Sequence, residues 1–433
     1  GGNVAVGAGS LMLLNAGGDA YNVAVGFEAG KALSTGVQNV VMGAFAGDAL
    51  TTGNQNVAIG YQALGSEDGN GKNIAIGHYA LNAQNAGADA YNTAVGWEAG
   101  KLVSTGVNNT LIGGQAGDAL TTGTNNVAMG YGALGSEDTG GQNVAIGVNA
   151  LNTANYDGNG LNVAVGYGAG AAVTTGVQNT LIGGSAGDAL TTGSYNTAVG
   201  YLALSAEDGH GYNTAIGREA LKTLNAGADA GNVAVGMQAG AEMTTGRYNS
   251  ILGTYAGDAL TTGWSNVAIG YLALSTEDAH GSNVAIGYQA LTTLNAGIEG
   301  YNVAIGYNAG QDMSTGQRNT FVGTASGANL TTGSYNIGIG YEALATEDAH
   351  GRNVAIGYQA LAVQNAGADA YNVAVGFYAG TAITTGVENT IVGGNAGDAL
   401  TVGQHNVAIG FEALSTSVDG DKNVAIGRRA LKL

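Results

Sequence analysis

One block of nine residues, NVAIGYQAL, occurs three times in identical form, at residues 56–64, 283–291 and 353–361. Related blocks recur along the whole chain, and each opens with an Asn. This Asn is found at 25 positions from Asn3 to Asn423, with spacings that cycle through 19, 17, 17 and 17 residues. Four blocks therefore make a super-repeat of 70 residues. Such strict recurrence predicts a repeat architecture and argues against a set of separate antiparallel domains.

The length of one unit favours a turn built from strands. A unit of 17–19 residues is too short for two helices, and the 79 Gly residues disfavour helix formation. Val-Ala-Ile alternates large and small residues with the two-residue period of a strand, and segments such as AGDALTTGNQ predict a second short strand in each turn. We therefore predict an all-β fold, a parallel β-solenoid (β-roll) of about 25 turns in which residues 1–433 form one continuous array.

Two positions of the block have a predicted structural role. Asn at a fixed corner suits a ladder of stacked amides and tolerates a left-handed backbone. Gly after the strand suits a corner that larger residues cannot form. The chain also has no Pro, which would remove a hydrogen-bond donor from the ladder. The predicted Asn/Gly ladder includes Asn56, Gly60, Asn126, Gly130, Asn196, Gly200, Asn266 and Gly270.

A large residue replaces Ala in the middle of one strand per super-repeat. If Val and Ile of the strand point into the roll, this middle residue points outward and needs a partner surface. Turns with a large residue there carry a small one three positions later, where neighbouring turns carry aromatic residues, which suggests packing at fixed volume. We therefore expect a homo-oligomer, and a trimer above all; the alternative is a monomer whose outer residues pack on its own second strands. The predicted interface residues are Val41, Leu111, Leu181, Ile251, Phe321 and Ile391.

Charge and composition argue against several partners. The net charge of −19 disfavours nucleic acid and anionic membrane surfaces. The absence of Cys removes thiol chemistry and Cys-based zinc sites, and no apolar run is long enough to span a membrane. Because the sequence opens and closes inside a repeat, we expect it to be a piece of a longer fibre.

Catalytic and metal motifs give weak signals. An acidic cluster recurs once per super-repeat, as Ser-Glu-Asp at residues 66–68 and 136–138 and as the pairs Glu207/Asp208, Glu277/Asp278 and Glu347/Asp348. An enzyme needs a single set of catalytic residues, so this recurrence argues against catalysis. We interpret the acidic clusters as solvated loops and leave calcium as the alternative. His210, His280 and His350 share a loop position, so that copies in a trimer could meet on the axis and bind zinc. We predict no enzymatic activity and no cofactor.

Evenly spaced aromatic residues give a second candidate surface. Tyr61, Tyr131, Tyr201, Tyr271 and Tyr341 occupy equivalent positions and could stack on the sugar rings of a host-surface glycan. The alternative, which the volume exchange favours, is packing between turns or chains.

The block N-V-A-I-G, at residues 56–60, 283–287 and 406–410, resembles the head repeats of trimeric autotransporter adhesins of the YadA type. The longer sequence pattern, GYQAL with TTGSYNTAVGY at residues 191–201, is similar to repeat arrays of phage tail fibres and bacterial surface fibres. The resemblance covers the whole chain and implies a left-handed β-roll, a trimer and an extracellular location on a virion or cell. The alternation of 17 and 19 residues departs from the single shorter period usual in adhesin heads, and no neck, stalk or anchor motif is visible.

Near-identical copies favour a structural role over a binding role. We therefore expect a shaft or spacer of a trimeric tail fibre or surface appendage that presents a distal binding tip. The alternative is an adhesin head that itself binds host glycan or matrix. An ice-binding solenoid is a more distant alternative, because regular Thr-x-Thr rows are missing.

Overall fold

The structure is a computed structural model that describes residues 1–347 and 349–432, in two compact units, Gly1–Asn213 and the residues from Thr214 onward. The described residues contain 25 strands of three residues each and no helix. The strands of the first unit, β1 to β12, are Val4–Val6, Val23–Val25, Val40–Met42, Val57–Ile59, Ile74–Ile76, Thr93–Val95, Thr110–Ile112, Val127–Met129, Val144–Ile146, Val163–Val165, Thr180–Ile182 and Thr197–Val199. The strands of the second unit, β13 to β25, are Thr214–Ile216, Val233–Val235, Ser250–Leu252, Val267–Ile269, Val284–Ile286, Val303–Ile305, Thr320–Val322, Ile337–Ile339, Val354–Ile356, Val373–Val375, Thr390–Val392, Val407–Ile409 and Val424–Ile426.

Within each unit, every strand pairs in parallel with the strand of the next turn. In the first unit, for example, Val57 pairs with Ile74 and Ala58 with Ala75. The paired residues are 17 or 19 positions apart, as in the sequence period. The predicted fold class, an all-β parallel solenoid of about 25 turns, is therefore confirmed.

The second strand that we predicted in each turn is not formed in the described residues. After strand β4 the chain turns with left-handed backbone at Gln62 and Leu64, whose φ angles are 52° and 54°. Extended structure requires negative φ, so this half of the turn cannot be a strand. It is still bonded to the next turn, because Leu64 N–H donates to Ala80 O at 3.0 Å and Ser66 N–H to Asn82 O at 3.0 Å.

The interior of the solenoid is filled by the middle residue of each strand, contrary to our prediction. Ala58 is fully buried, while Val57 and Ile59 on either side of it are partly exposed. The interior is narrow, and stacked Ala residues leave space that Leu64 and Leu81 fill from the other side of the turn. Small residues therefore point inward, and the larger apolar residues form the outer face of the sheet.

Large and small residues do exchange places, but within this interior. The middle residue Leu111 is large, and the opposing position, eight residues after the Asn, is Gly117 in the same turn and Gly100 in the turn before. A Cβ atom at Gly117 would lie 2.8 Å from Leu111 Cδ2, and one at Gly100 would lie 2.6 Å from Leu111 Cδ1. Where the middle residues of a turn and of the next turn are both Ala, as at Ala128 and Ala145, the opposing position is Leu134. The exchange that we predicted with the outer aromatic position is therefore wrong.

Candidate functional site

The Asn of each block forms a continuous row of hydrogen bonds within each unit. Asn126 is fully buried, and its Oδ1 accepts the main-chain N–H of Asn143 at 3.0 Å. Its Nδ2 donates to Gly140 O at 2.9 Å, and its own N–H donates to Oδ1 of Asn109 at 3.0 Å. Each Asn thus joins three successive segments and satisfies main-chain groups that are shielded from water.

The same bonds occur at the other predicted ladder residues. Asn56 Oδ1 accepts the Asn73 N–H at 3.0 Å, Asn196 Oδ1 accepts the Asn213 N–H at 3.0 Å, and Asn266 Oδ1 accepts the Asn283 N–H at 3.0 Å. The side chains bond mainly to the main chain, and only some turns add a bond between two side-chain amides. The left-handed residue is not the Asn but the residue before it, such as Gln55 with φ of 60°.

The Gly that ends each strand lies in a region of φ that only Gly enters readily. Gly60, Gly130, Gly200 and Gly270 have φ between 132° and 136°. A Cβ atom at Gly60 would lie 2.4 Å from Gly77 O in the next turn. This corner is therefore closed to side chains both by its conformation and by the spacing of the turns.

The six residues predicted to form an oligomer interface are buried inside the chain that carries them. Each is at most 1% exposed, which leaves no area for a second chain: Val41, Leu111, Leu181, Ile251, Phe321 and Ile391. The prediction is wrong for these residues, because the direction of the strand side chains is the reverse of the one assumed. The partly exposed apolar surface lies instead on the first and third strand residues, and Met42 and Ile182 are 40% and 38% exposed there.

The predicted aromatic row lies on the outside of the solenoid. Between 39% and 55% of the surface of each residue is exposed: Tyr61, Tyr131, Tyr201, Tyr271 and Tyr341. In the second unit Tyr271 stacks on Tyr288, with ring centroids 5.4 Å apart, and Tyr288 stacks on Tyr307 at 5.1 Å. The rings therefore pack on the neighbouring turns and still present part of their surface to solvent.

The acidic loops hold a buried carboxyl in the first five of the six super-repeats, and Ser417 stands at this position in the sixth. Glu67 is fully buried, and its Oε1 accepts the Asn70 N–H at 2.9 Å. Burial raises the pKa of Glu67, and the hydrogen bond from Asn70 opposes this effect. The same burial raises the pKa of Glu137, whose Oε1 accepts the Gly140 N–H at 2.6 Å. These carboxyl groups support the loop from within, rather than lying in solvent as we predicted.

A His lies beside the buried Glu in three of these loops, and in the third of them His350 Nδ1 is 3.8 Å from Glu347 Oε1. His210 Nδ1 lies 3.2 Å from Glu207 Oε1, and His280 Nδ1 lies 3.3 Å from Glu277 Oε1. Together with Asp208 or Asp278, each set offers three ligand atoms within 4.8 Å of one another, which is close enough for one metal ion. In each set the His ring nitrogen and the Glu oxygen already contact each other, and a metal ion would have to replace this contact. Asp348 of the third predicted pair lies outside the described residues. The two sets show residues that could hold a metal, and calcium or zinc binding stays a prediction.

No family model, curated protein or solved structure matches the chain. Among the described residues, no helix has the length and apolar character needed to cross a bilayer.

Proposed function

We propose that this chain is a structural segment, a shaft or spacer, of a trimeric extracellular fibre that holds a binding tip away from a virion or a cell. The observation that carries this proposal is the sameness of the turns within each unit. The Asn bonds, the Gly corner and the strand register recur from one turn to the next. Because each turn contacts mainly its neighbours, such a stack gains length without a new fold, which suits a spacer. No reaction is assigned to it.

The outer face of the sheet supports assembly into a trimer. Ile or Val ends most strands, so that an apolar row runs along each unit, and beside it the first strand residues form a second row, mainly of Val with some Thr. These rows are partly exposed, and apolar surface of this regularity is typical of a protein interface. We therefore place the proposed interface on the first and third strand residues. A left-handed roll, which the resemblance to YadA-type heads implies, belongs to the same proposal.

Sedimentation equilibrium at micromolar concentration tests the assembly. A trimer has about three times the chain mass of 42.5 kDa. Ile182→Lys places a charge on the proposed interface and should shift the trimer towards the monomer, because an unpaired charge is costly to bury. Gln178→Lys adds the same charge at an exposed corner of the same turn and should leave the mass unchanged. A monomer in the unmodified protein would contradict the proposal, as would equal behaviour of the two variants.

Electron microscopy of the native assembly tests the spacer role. We expect a rod of constant width between an attachment point and a distal tip. A globular complex in which no rod separates an attachment point from a distal tip would contradict the role.

The exposed Tyr row supports a second candidate, an adhesin that binds glycan along its length. Tyr131 and Tyr201 are each 55% exposed, and their neighbours in the preceding turn are Gly114 and Gly184. A glycan array on the unmodified protein and on a Tyr201→Ala plus Tyr271→Ala variant tests this candidate. Binding that is lost in the variant supports the Tyr row, and binding that survives excludes it.

A further inference from the structure

One corner of the second unit differs from the same corner in the other super-repeats. Two residues before Asn249 stands Arg247, at a position that is otherwise Val or Gln: Val37, Val107, Val177, Gln317 and Val387. In the next turn the same position is Trp264, where the others have a smaller polar residue: Asn54, Thr124, Ser194, Ser334 and Gln404. Two successive turns thus exchange small or neutral residues for a cation and an indole.

Trp264 lacks the hydrogen bond that three of its five counterparts, Asn54, Ser194 and Ser334, accept from the preceding turn. Asn54 Oδ1 accepts the Val37 N–H at 2.8 Å, and Ser194 Oγ accepts the Val177 N–H at 3.0 Å. An indole offers no acceptor that could replace these oxygens. This corner therefore lacks the side-chain hydrogen bond between turns that three equivalent corners have, and the indole does not replace it.

A third departure uncovers the neighbouring aromatic ring. Gly231 stands where the other super-repeats carry a large residue: Tyr21, Tyr91, Leu161, Tyr301 and Tyr371. A Cβ atom at Gly231 would lie 3.4 Å from Tyr248 Cδ1, so that a larger side chain there would lie against the ring. Tyr248 is consequently 64% exposed. In the first unit, by contrast, the equivalent row stacks Tyr195 on Tyr212 with centroids 5.1 Å apart.

These side chains line an open cavity of about 360 Å³, together with Thr245 and Thr262. Arg247 Nη2 donates one long hydrogen bond, to Ala226 O at 3.4 Å, and the guanidinium makes no ion pair with any described residue. Arg218 and Arg352, in contrast, pair with Glu219 and Asp369. In a chain with a net charge of −19, Arg247 is a cation with free donors beside two exposed aromatic faces.

We propose that this cavity, the Arg247/Trp264 site, binds a carboxylated sugar ring, such as a uronic or sialic acid residue. The planar guanidinium matches a carboxylate with two parallel hydrogen bonds. The C–H face of a pyranose is apolar and is removed from water against the Trp264 or Tyr248 ring. The Thr245 hydroxyl can donate to and accept from a sugar hydroxyl, and the Thr262 hydroxyl, which donates to Ala279 O at 3.3 Å, can accept from one.

The size and charge of the site favour a single sugar residue over a long polyanion. A cavity of about 360 Å³ is in the range of small-molecule sites. Nucleic acid needs several cations along its backbone, whereas this site offers one guanidinium in an acidic protein. The inference does not depend on the proposed spacer role, because the site uses residues that the repeated turns do not share.

Fluorescence of Trp264 tests the proposal. The chain has two Trp residues, so Trp97→Phe leaves Trp264 as the only indole. The probes are sodium D-glucuronate and N-acetylneuraminate, with methyl β-D-glucoside as the neutral sugar and sodium acetate as the bare carboxylate. We expect a saturable change with one of the acidic sugars, with a Kd on the order of 1 mM for a ligand of this size. The more tightly bound acidic sugar identifies the source of the carboxylated ring.

Matched variants restore the residues that the array itself uses. In the Trp97→Phe background, Arg247→Val should weaken binding of the acidic sugar about tenfold or more, because a charge-assisted pair is lost. Trp264→Ser removes the fluorescent reporter, so sugar binding to this variant is measured by saturation-transfer NMR. The saturation-transfer signal of the acidic sugar should disappear. Circular dichroism checks that both variants keep the fold. The proposal is overturned by an absence of saturable binding, by unchanged affinity in Arg247→Val, or by equal affinity for methyl β-D-glucoside or acetate.

Discussion

Asn126→Ala should open the solenoid locally around one turn. The substitution removes the acceptor for the Asn143 N–H, at 3.0 Å, and the donor to Gly140 O, at 2.9 Å. Asn143 and Gly140 are both buried, so water cannot replace either partner without local opening. A buried polar group that loses its partner costs about 1–3 kcal/mol, and two such groups give about 2–6 kcal/mol.

Native-state hydrogen exchange measures this cost where it arises. A stack of repeats does not unfold as one unit, and a single melting temperature would average over turns that the substitution does not affect. Exchange of the Asn143 amide reports the local opening equilibrium. At about 1.4 kcal/mol for each factor of ten, a loss in the middle of the range, about 3–4 kcal/mol, speeds exchange by about two to three orders of magnitude.

Two further variants separate the parts of this effect. Asn126→Asp keeps an acceptor for the Asn143 N–H but turns a carboxylate oxygen towards Gly140 O, so we expect at least an equal loss at neutral pH. Thr139→Ala is the control, because this side chain is exposed in the same turn. An acceleration below about fivefold in Asn126→Ala, equivalent to about 1 kcal/mol, would refute the claim that the Asn row holds the turns together.

Three other substitutions test the corners, the interior and the buried carboxyl. Gly130→Ala should cost about 3 kcal/mol or more by local exchange, because its Cβ would lie 2.4 Å from Gly147 O, whereas Gly87→Ala meets no atom within 4 Å and should cost only about 1–2 kcal/mol. Gly338→Ala should cost about 1–3 kcal/mol, because its Cβ would lie 2.7 Å from Ser326 Oγ and 3.0 Å from Phe321 Cδ1, and a double-mutant cycle should show that Phe321→Leu reduces the part of this cost that arises from the ring. Burial raises the folded-state pKa of Glu67 above its ordinary value of 4.5, so ionisation of this carboxyl destabilises the fold at neutral pH. The destabilisation is relieved as the pH falls through the raised pKa towards 4.5. Glu67→Gln should therefore be at least as stable as the parent at neutral pH, with a difference that shrinks on acidification; a difference that grows on acidification would contradict the sign.

The period of the sequence was sufficient to predict the parallel solenoid. Each turn must bury its strand against the next one, and only a fixed spacing keeps Asn, Gly and the strand in register over many turns. The direction of the strand side chains could not be predicted in the same way. Val57, Ala58 and Ile59 alternate, and alternation fits either face of a strand equally well. In the structure the Ala side chain points into the solenoid, because the narrow interior has room for a methyl group and for a Leu from the opposite wall.

The left-handed backbone conformation of the corners also could not be predicted from the sequence pattern. Gln62 and Leu64 adopt left-handed φ, although neither is Gly, Asn or Asp. A non-Gly residue in this region costs roughly 1–2 kcal/mol, so local preference alone predicts another conformation. Bonds to the adjacent turns, such as Gln62 N–H to Ala44 O at 3.2 Å, offset this cost. The conformation is therefore set by the stack and not by the residue.

Departures from the 70-residue cycle separate into two kinds. Phe321 is the largest middle residue, and its neighbours change with it: Gly338 replaces Ala in the paired strand, and Ser326 Oγ donates to Gly338 O at 2.8 Å. Such linked changes preserve the interior and need no function to explain them. Gly231, Arg247 and Trp264 depart together on the outer surface, where they leave a main-chain donor without the side-chain acceptor that serves it at three equivalent corners, and where they expose a ring. A departure that weakens the stack without repacking it is the kind that a ligand would explain, and for this reason the Arg247/Trp264 site is a stronger candidate for binding than the regular Tyr row.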